Sequence, residues 1–376
     1  MTALIIIIIA LVAFILYLLF YPSKKKIFSH QPYLEALAAL LDNNDDLAVK
    51  KLKEAVYIDT NLVDAYIKLG NLYRKKGNPQ RAIQIHQSLT VRPTLKKDEE
   101  KKVYYALVDD YVADKRPNKA TSFLKELLKI DKNDRQARTI LLNILEDMGN
   151  FADCIVTYEE GSPEFKDERR RAFYYAAMAN NRAKEPPGDE PVDEKEIANL
   201  YKKALKIFPD SIAGLYYMAE YMKTTGDLKK VKDYCLKLVH RYPDFTFLVQ
   251  HNLEKVFYDL GSFDEIVTLY ERIFNQNPRN FTVGFALADL NEKKNEIEAA
   301  KDIFRKLGDI YPRSLKPKLR LLKLTAEDKQ LKRELTDIDK SIADTKYLCN
   351  VCHLEAGKFT FICPRCHSLE SLYPAL

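Results

Sequence analysis

Four cysteines near the end of the 376-residue chain form two pairs whose spacing is typical of a metal site. Two residues separate the cysteines of each pair and ten residues separate the pairs: Cys349, Cys352, Cys363 and Cys366. Four thiolates spaced in this way can surround one ion as a tetrahedron, with metal–sulfur distances of about 2.3 Å for zinc. Because four protein ligands leave no open coordination position, the pattern predicts a structural ion rather than a catalytic one. Zinc is our first choice, and iron suits the same four sulfurs.

The segment that carries these cysteines, residues 347–376, is predicted to be a small rubredoxin-like ribbon. Phe359, Phe361 and Ile362 have β-strand character and predict a hairpin between the two cysteine pairs. So short a segment cannot bury enough surface to fold alone, and metal binding would contribute on the order of 10 kcal/mol. Two histidines directly follow a cysteine pair and are expected beside the site or at the surface rather than as ligands: His353 and His367.

The N-terminal residues 1–22 are predicted to anchor the chain in a membrane. The stretch Ala3–Tyr21 has no charged residue and would span about 28 Å as a helix, close to the thickness of a bilayer core. Pro22 ends the stretch, and lysines follow in a basic juxtamembrane linker, residues 23–32. Because the positive charges follow the apolar stretch, the rest of the chain is expected in the cytoplasm. A reducing cytoplasm favours metal binding over disulfides at the four cysteines.

Prolines recur at a nearly constant interval in the second half of the chain. Pro209, Pro243, Pro278 and Pro312 are 34, 35 and 34 residues apart, and each follows an apolar helical stretch. A proline that closes the second of two helices at this period is typical of tetratricopeptide repeats. We therefore predict an all-α fold, a tetratricopeptide-repeat α-solenoid over residues 33–314, with an N-terminal transmembrane helix and the C-terminal zinc ribbon.

The repeat units are less regular in two places. An acidic, proline-rich loop at residues 185–194 interrupts the pattern between Arg169 and Pro209. Residues 315–346 are predicted to be one capping helix, which ends near Thr336, and a linker. The predicted units are 33–60, 63–96, 101–134, 135–168, 212–245, 247–280 and 281–314.

Small residues mark the points where the two helices of a repeat cross. Gly70 and Ala82 are small because a larger side chain would force the helices apart. Cys154 occupies the same small position in its own repeat, and Cys235 occupies a large apolar position. Both isolated cysteines are therefore predicted to be buried, unreactive core thiols.

Stacked repeats form a continuous core and a groove of the kind that binds peptides or proteins. The groove-facing residues of the best unit and the two that follow are predicted to contact a partner: Asn71, Arg74, Lys75, Asp109 and Asn143. Amide and basic groups there could hold the backbone or a carboxylate of the partner. The alternative is that these five are solvated polar residues with no such role.

Composition and motifs exclude some classes of function. The chain has 60 basic and 54 acidic residues, a net charge of +6, without the concentrated basic segment that phosphate binding needs. Nucleic acid is therefore not expected as a partner. No P-loop, HExxH, GxSxG or GxGxxG motif occurs, and we predict that the protein is not an enzyme. The sequence leaves a homo-oligomer open.

The order of anchor, repeats and ribbon resembles the lipopolysaccharide assembly protein B family of Gram-negative bacteria. The most specific segments are Leu69–Gly77, Arg81–Leu89 and the ribbon pattern C-x2-C-x10-C-P-x-C. The sequence departs from the family pattern at two positions in the ribbon, and both bear on its docking surface. His353 stands where the family usually has glycine, and the aromatic residue after the last cysteine pair is absent.

The resemblance implies an adaptor at the cytoplasmic face of the inner membrane. Such proteins act with the membrane protease FtsH to promote degradation of the lipid A pathway deacetylase, which regulates lipopolysaccharide synthesis. The ribbon would pack against the repeats. Two other functions stay open at this point: a general scaffold for envelope-synthesis enzymes, and a metal- or redox-responsive regulator.

Overall fold

The computed structural model describes residues 30–162, 167–184, 194–341 and 346–375. Within these ranges lie eighteen α-helices and a three-stranded sheet. The predicted anchor and most of the linker lie outside them, and no described helix is long and apolar enough to cross a bilayer. The chain divides into two compact units, residues 1–137 and 138–376.

The first unit consists of helix pairs joined by short turns. Asparagine side chains accept hydrogen bonds from backbone amides at two helix starts, Asn44 from Leu47 and Asn78 from Arg81. Gly77 has φ +77° in the turn between the two helices of the best-matching repeat, a backbone conformation that favours glycine. The helices are α1 Gln31–Leu41, α2 Asp45–Ile58, α3 Val63–Lys75, α4 Pro79–Thr90, α5 Lys97–Ala113, α6 Pro117–Ile130 and the first turn of α7 Arg135–Asp147.

A buried histidine explains why position 70 is glycine. The His86 ring lies against Gly70, with Nδ1 2.6 Å from the Asp110 carboxylate and Nε2 3.1 Å from the Ile67 carbonyl. Arg74 donates to the other carboxylate oxygen of Asp110 at 2.6 Å. The helix crossing predicted from small residues is thus present, and the space at Gly70 is filled by an imidazole that joins two neighbouring repeats.

Replacing Gly70 with alanine should destabilise the first unit although alanine is the better helix former. A methyl group there would come within 3.0 Å of three His86 ring atoms, and overpacking of this kind costs about 1–3 kcal/mol. Urea unfolding followed by circular dichroism measures the effect. Gly308→Ala is the matched control, because its nearest neighbour would be 4.0 Å away and the change should be neutral or stabilising. Equal effects of the two variants would show that His86 does not constrain this site.

The second unit continues the helix pairs, and its prolines lie where the period predicts. Pro209, Pro243, Pro278 and Pro312 each stand two residues beyond the end of a helix. Gly226 and Gly261 have positive φ in turns between paired helices. The helices are the remainder of α7, α8 Phe151–Glu159, α9 Glu168–Lys184, α10 Glu194–Ile207, α11 Ile212–Thr224, α12 Leu228–Arg241, α13 Thr246–Asp259, α14 Phe263–Gln276, α15 Phe281–Lys293, α16 Ile297–Ile310, α17 Lys316–Thr325 and α18 Lys329–Ser341.

Two segments differ from the sequence-based prediction. Where the repeat pattern is stretched, α9 and α10 pack as an additional repeat whose core includes Ala179, Ile197 and Tyr201. The predicted acidic loop lies between these two helices along the chain, and its residues 185–193 are outside the described ranges. The single capping helix expected at residues 315–336 is two helices, because α17 ends at Thr325 and Asp328 accepts from the Leu331 amide at the start of α18.

The ribbon is a three-stranded antiparallel sheet with the strand order β2-β1-β3. Its strands are β1 Tyr347–Cys349, β2 Glu355–Ala356 and β3 Leu372–Pro374. The strand predicted at Phe359–Ile362 was wrong, since only Ile362 forms an isolated bridge, to Leu369. The two phenylalanines there pack against helices instead of extending the sheet. The predicted fold class, repeats followed by a small four-cysteine ribbon, is confirmed.

Candidate metal centre and its docking surface

The four predicted cysteines meet at one point. Their sulfur atoms all lie within 4.8 Å of one another, the only such group among the described histidine, cysteine and acidic side chains. Cys349 Sγ is 3.8 Å from Cys366 Sγ, and Cys352 Sγ is 3.6 Å from Cys363 Sγ. A tetrahedron with metal–sulfur distances of about 2.3 Å has edges of about 3.8 Å. The four thiols therefore fit a single ion, and both zinc and iron accept such ligands.

The two cysteine pairs have the same backbone geometry. The Cys349 amide donates to the Leu354 carbonyl at 3.0 Å, and the Cys363 amide donates to the Ser368 carbonyl at 3.0 Å. The residue after each pair closes the turn with a positive φ, +56° for His353 and +53° for His367. Glycine adopts this conformation most easily, and here histidine adopts it at both positions. Neither histidine belongs to the group of potential ligands.

Serine hydroxyls next to two sulfurs favour the thiolate form that binds metal. Burial opposes ionisation of Cys349, but the hydrogen bond between this thiol and Ser371 and the hydrogen bonds from two backbone amides outweigh it and lower the pKa of the thiol to about 6. A hydrogen bond from Ser368 lowers the pKa of Cys366 as well. Burial raises the pKa of Cys352 to about 12. Two of the four sulfurs thus form hydrogen bonds with neighbouring polar groups, and the Val351 amide donates to Cys349 Sγ at 3.4 Å.

The isolated cysteines are core residues, as predicted. Cys154 and Cys235 are both buried, far from reagents in solution. Burial raises the pKa of the Cys235 thiol to about 12, and it also raises the pKa of Cys154. Both stay protonated at neutral pH, the form in which a thiol is a poor nucleophile.

A buried ion pair holds the ribbon against the repeats. Arg170 on α9 donates to both carboxylate oxygens of Glu146 on α7, at 2.9 and 3.0 Å, and to the His367 carbonyl at 2.7 Å. His367 Nδ1 lies 3.2 Å from the same Glu146 carboxylate. The residue that closes the second cysteine pair is therefore bonded to two helices of the repeats. A second pair, Arg169 with Glu370 at 2.5 Å, lies on the ribbon side of α9.

Replacing Arg170 with alanine should destabilise the second unit by about 3–5 kcal/mol, because the buried Glu146 carboxylate loses its cation. Chemical unfolding of the purified protein measures the loss. Arg171→Ala is the control on the same helix. Its partners Glu159 and Glu168 are exposed, and surface pairs contribute about 0–1 kcal/mol. Similar losses from both variants would contradict the role of the buried pair.

Aromatic side chains form the rest of the docking surface. Phe361 contacts Phe173 on α9 and Tyr216 and Tyr217 on α11, with ring centroids 5.3–6.0 Å apart. Phe247 on α13 packs against Phe359 at 5.4 Å. The ribbon consequently covers the first helices of three consecutive repeats, and α7 contributes Glu146 from a fourth. No sequence pattern indicated these partners, because they lie 112–221 residues from their ribbon contacts along the chain.

Three of the five predicted partner-binding residues form ion pairs within the first unit: Arg74, Lys75 and Asp109. Arg74 binds Asp109 at 3.2 Å as well as the buried Asp110. Lys75 pairs with Asp45 of the neighbouring repeat. Asn71 is half-buried on α3, and Asn143 is half-buried on α7 in the second unit. Arg74 and Lys75 thus join repeats to each other, and the binding role of all five remains a prediction.

Comparison with known proteins supports this architecture. Residues 65–99 and 283–314 match tetratricopeptide repeat family models. Lipopolysaccharide assembly protein B of Escherichia coli strain K12 is 24% identical over 364 residues, which cover 91% of this chain and 88% of that protein. The protein of the same name from Haemophilus influenzae is 23% identical over 381 residues, with 91% and 89% covered.

The chain has a tetratricopeptide-repeat fold and is similar to lipopolysaccharide assembly protein B over most of its length. The resemblance identified from the sequence is confirmed. Among solved structures, the Naa15/Naa10 complex bound to HypK-THB has a TM-score of 0.41 and 14% identity, covering 83% of this chain and 47% of that one. The repeat protein YrrB has a TM-score of 0.32 and 19% identity, covering 48% and 87%. The repeat assignment itself rests on the helix pairs and the two matched segments.

Proposed function

We propose that this protein is a non-catalytic adaptor that regulates lipopolysaccharide synthesis at the cytoplasmic face of a bacterial inner membrane. The observation that carries the proposal is the similarity to lipopolysaccharide assembly protein B over 91% of the chain. An apolar N-terminal stretch followed by lysines supports the membrane location. Tetratricopeptide repeats are a common means of binding other proteins, which supports protein partners.

The metal has a structural part in this proposal. Cys349, Cys352, Cys363 and Cys366 would hold one zinc or iron ion, and its bonds to sulfur would supply the stability that so small a ribbon lacks. Because no ligand position is left open, the ion contributes no activated water. The residues of the chain then set the position of the ribbon: Arg170 and Glu146 fix its second cysteine pair, and Phe361 fixes the adjoining loop.

The partners that we propose are the membrane protease FtsH and the lipid A deacetylase. An adaptor anchored in the same bilayer as the protease would raise the effective concentration of a bound substrate without strong contacts. Such an adaptor needs two binding surfaces but no catalytic group. Faster proteolysis of the deacetylase would then limit lipopolysaccharide synthesis.

The half-life of the deacetylase tests this proposal. Depletion of the adaptor should lengthen the half-life severalfold in a pulse-chase experiment, and re-expression of the full chain should restore it. A variant that lacks residues 1–22 serves as the control for tethering, since it keeps the repeats but loses the proposed anchor. An unchanged half-life after depletion would favour a general scaffold for envelope-synthesis enzymes instead.

A further inference from the structure

A cleft of about 500 Å³ lies in the second unit where the edge of the ribbon meets the last repeats. This volume is within the range of about 300–1,000 Å³ that is typical of ligand pockets. Phe247 and Tyr347 form one wall, and Phe281 and Phe285 form another. The aromatic walls are only half-buried, and Leu315 at the rim is 59% exposed. The cleft therefore offers apolar surface that the fold itself leaves open to solvent.

The charge around the cleft has one sign. Arg313, Lys316 and Lys346 line it, and none of the described lining residues is acidic. Arg313 and Lys316 have no carboxylate partner within the part of the chain that the structure describes, and Lys346 reaches Glu355 only at 4.0 Å. Two cations without a carboxylate partner, and a third that reaches one only at long range, favour an anionic occupant beside the apolar wall.

Helix ends add to the positive potential. The helices α13 and α17 both start at the cleft, and no side chain caps the first turn of either one. The amino end of a helix carries a partial positive charge and favours nearby carboxylates. Gln250 and Thr282 also line the cleft and can form hydrogen bonds with a peptide backbone. Apolar walls, hydrogen-bonding side chains and a cationic rim together match a peptide better than a bare anion.

We propose that this cleft binds an extended segment of a partner protein in which bulky apolar side chains are flanked by Asp or Glu. The apolar side chains would enter between the phenylalanine walls, and the carboxylates would pair with Arg313 and Lys316. This inference deepens the proposed function, because it rests on the chain being an adaptor and assigns one of its binding surfaces. The surface continues the row of first helices that the ribbon covers on α9, α11 and α13.

Fluorescence anisotropy with the full chain in a mild detergent tests the proposal. The probe is a short fluorescein-labelled peptide with a Phe-Leu centre between Asp-Glu pairs. We expect saturable binding that weakens as salt rises. Two matched peptides, one with Lys in place of the acids and one with Ser in place of Phe-Leu, should each bind at least about tenfold more weakly, a loss of about 1.4 kcal/mol. Equal binding of all three would overturn the proposal.

Surface variants locate the binding. Arg313→Glu combined with Lys316→Glu, and separately Leu315→Ser, should weaken binding of the acidic peptide at least about tenfold without unfolding the protein. Lys202→Glu combined with Lys306→Glu is the control, because it makes the same charge change at exposed positions of α10 and α16. Equal losses from the control would show that net charge, and not the cleft, binds the peptide.

Two other occupants would overturn the proposal if found. Binding of phosphatidylglycerol vesicles that depends on Arg313 and Lys316, without peptide binding, would assign the cleft to a membrane surface. A dimer that dissociates in the Leu315→Ser variant, again without peptide binding, would assign it to a second copy of the chain. The half-life of the deacetylase is measured independently of peptide binding. Loss of peptide binding with a normal effect on the half-life would contradict the cleft proposal alone, whereas an unchanged half-life after depletion would contradict the adaptor function.

Discussion

Removal of the metal should release the ribbon from the repeats while the helices stay folded. Structural zinc contributes on the order of 10 kcal/mol to small sites of this kind, more than the short strands of the ribbon can replace. Without the ion, the turn that ends at His367 loses the geometry that brings its carbonyl to Arg170. Hydrogen exchange should then rise throughout residues 346–375 and on the covered faces of α9, α11 and α13. The circular dichroism of the repeats should change little.

A single-cysteine variant makes this test specific. Cys363→Ser should lower the metal content of the purified protein from about one equivalent to a small fraction, measured by elemental analysis, because one of the four ligands is lost. Cys235→Ala is the matched control, since it also removes a buried thiol but lies outside the cluster. A Cys363→Ser protein that keeps both its metal and its protected ribbon would show that the four sulfurs do not hold the ion together.

Loss of the Phe361 side chain should undock the ribbon without emptying the metal site. This ring is 6% exposed and touches three aromatic side chains of the repeats, Phe173, Tyr216 and Tyr217. Truncation of a buried phenylalanine costs about 3–5 kcal/mol of stability. Because the Phe361 ring packs against the repeats, we expect most of this loss in the contact between the ribbon and the repeats. In Phe361→Ala, hydrogen exchange on α9 and α11 should therefore increase, and the metal content should remain at about one equivalent.

Truncation of an exposed aromatic side chain is the control for Phe361→Ala. Tyr258 lies in the same unit and is 75% exposed, so Tyr258→Ala should change stability and exchange by no more than about 0.5 kcal/mol. Loss of metal in Phe361→Ala would mean that docking and metal binding form one cooperative unit. In that case the ribbon would not exist as a folded body apart from the repeats.

Local patterns were enough to predict the repeats and the cluster of four cysteines. The proline period and the two C-x2-C pairs are patterns of residues that are close together along the chain. The geometry of a helix pair or of a cysteine turn therefore follows directly from the residue spacing. The positive φ at His353 and His367 could also have been predicted, because the residue after such a pair commonly takes the conformation that glycine favours.

The docking surface could not be predicted in the same way. Arg170 and Glu146 are 24 residues apart, and Arg170 is 197 residues from His367, with no periodic pattern that links them. Phe361 has the β propensity that predicted a strand, but its burial against three rings outweighs that preference. The extra repeat formed by α9 and α10 was missed for a related reason. The acidic segment between the two helices lengthens this repeat and hides the period in the sequence, although the helix faces remain apolar.

The most direct test of the adaptor is to identify what the full chain contacts in native membranes. Crosslinking in intact cells, followed by affinity purification and mass spectrometry, should recover both the membrane protease and the lipid A deacetylase with the wild-type chain. The Cys363→Ser variant, expressed at the same level, should recover less of at least one of them. If envelope-synthesis enzymes are crosslinked but the protease is not, the protein scaffolds those enzymes and does not deliver a substrate for degradation.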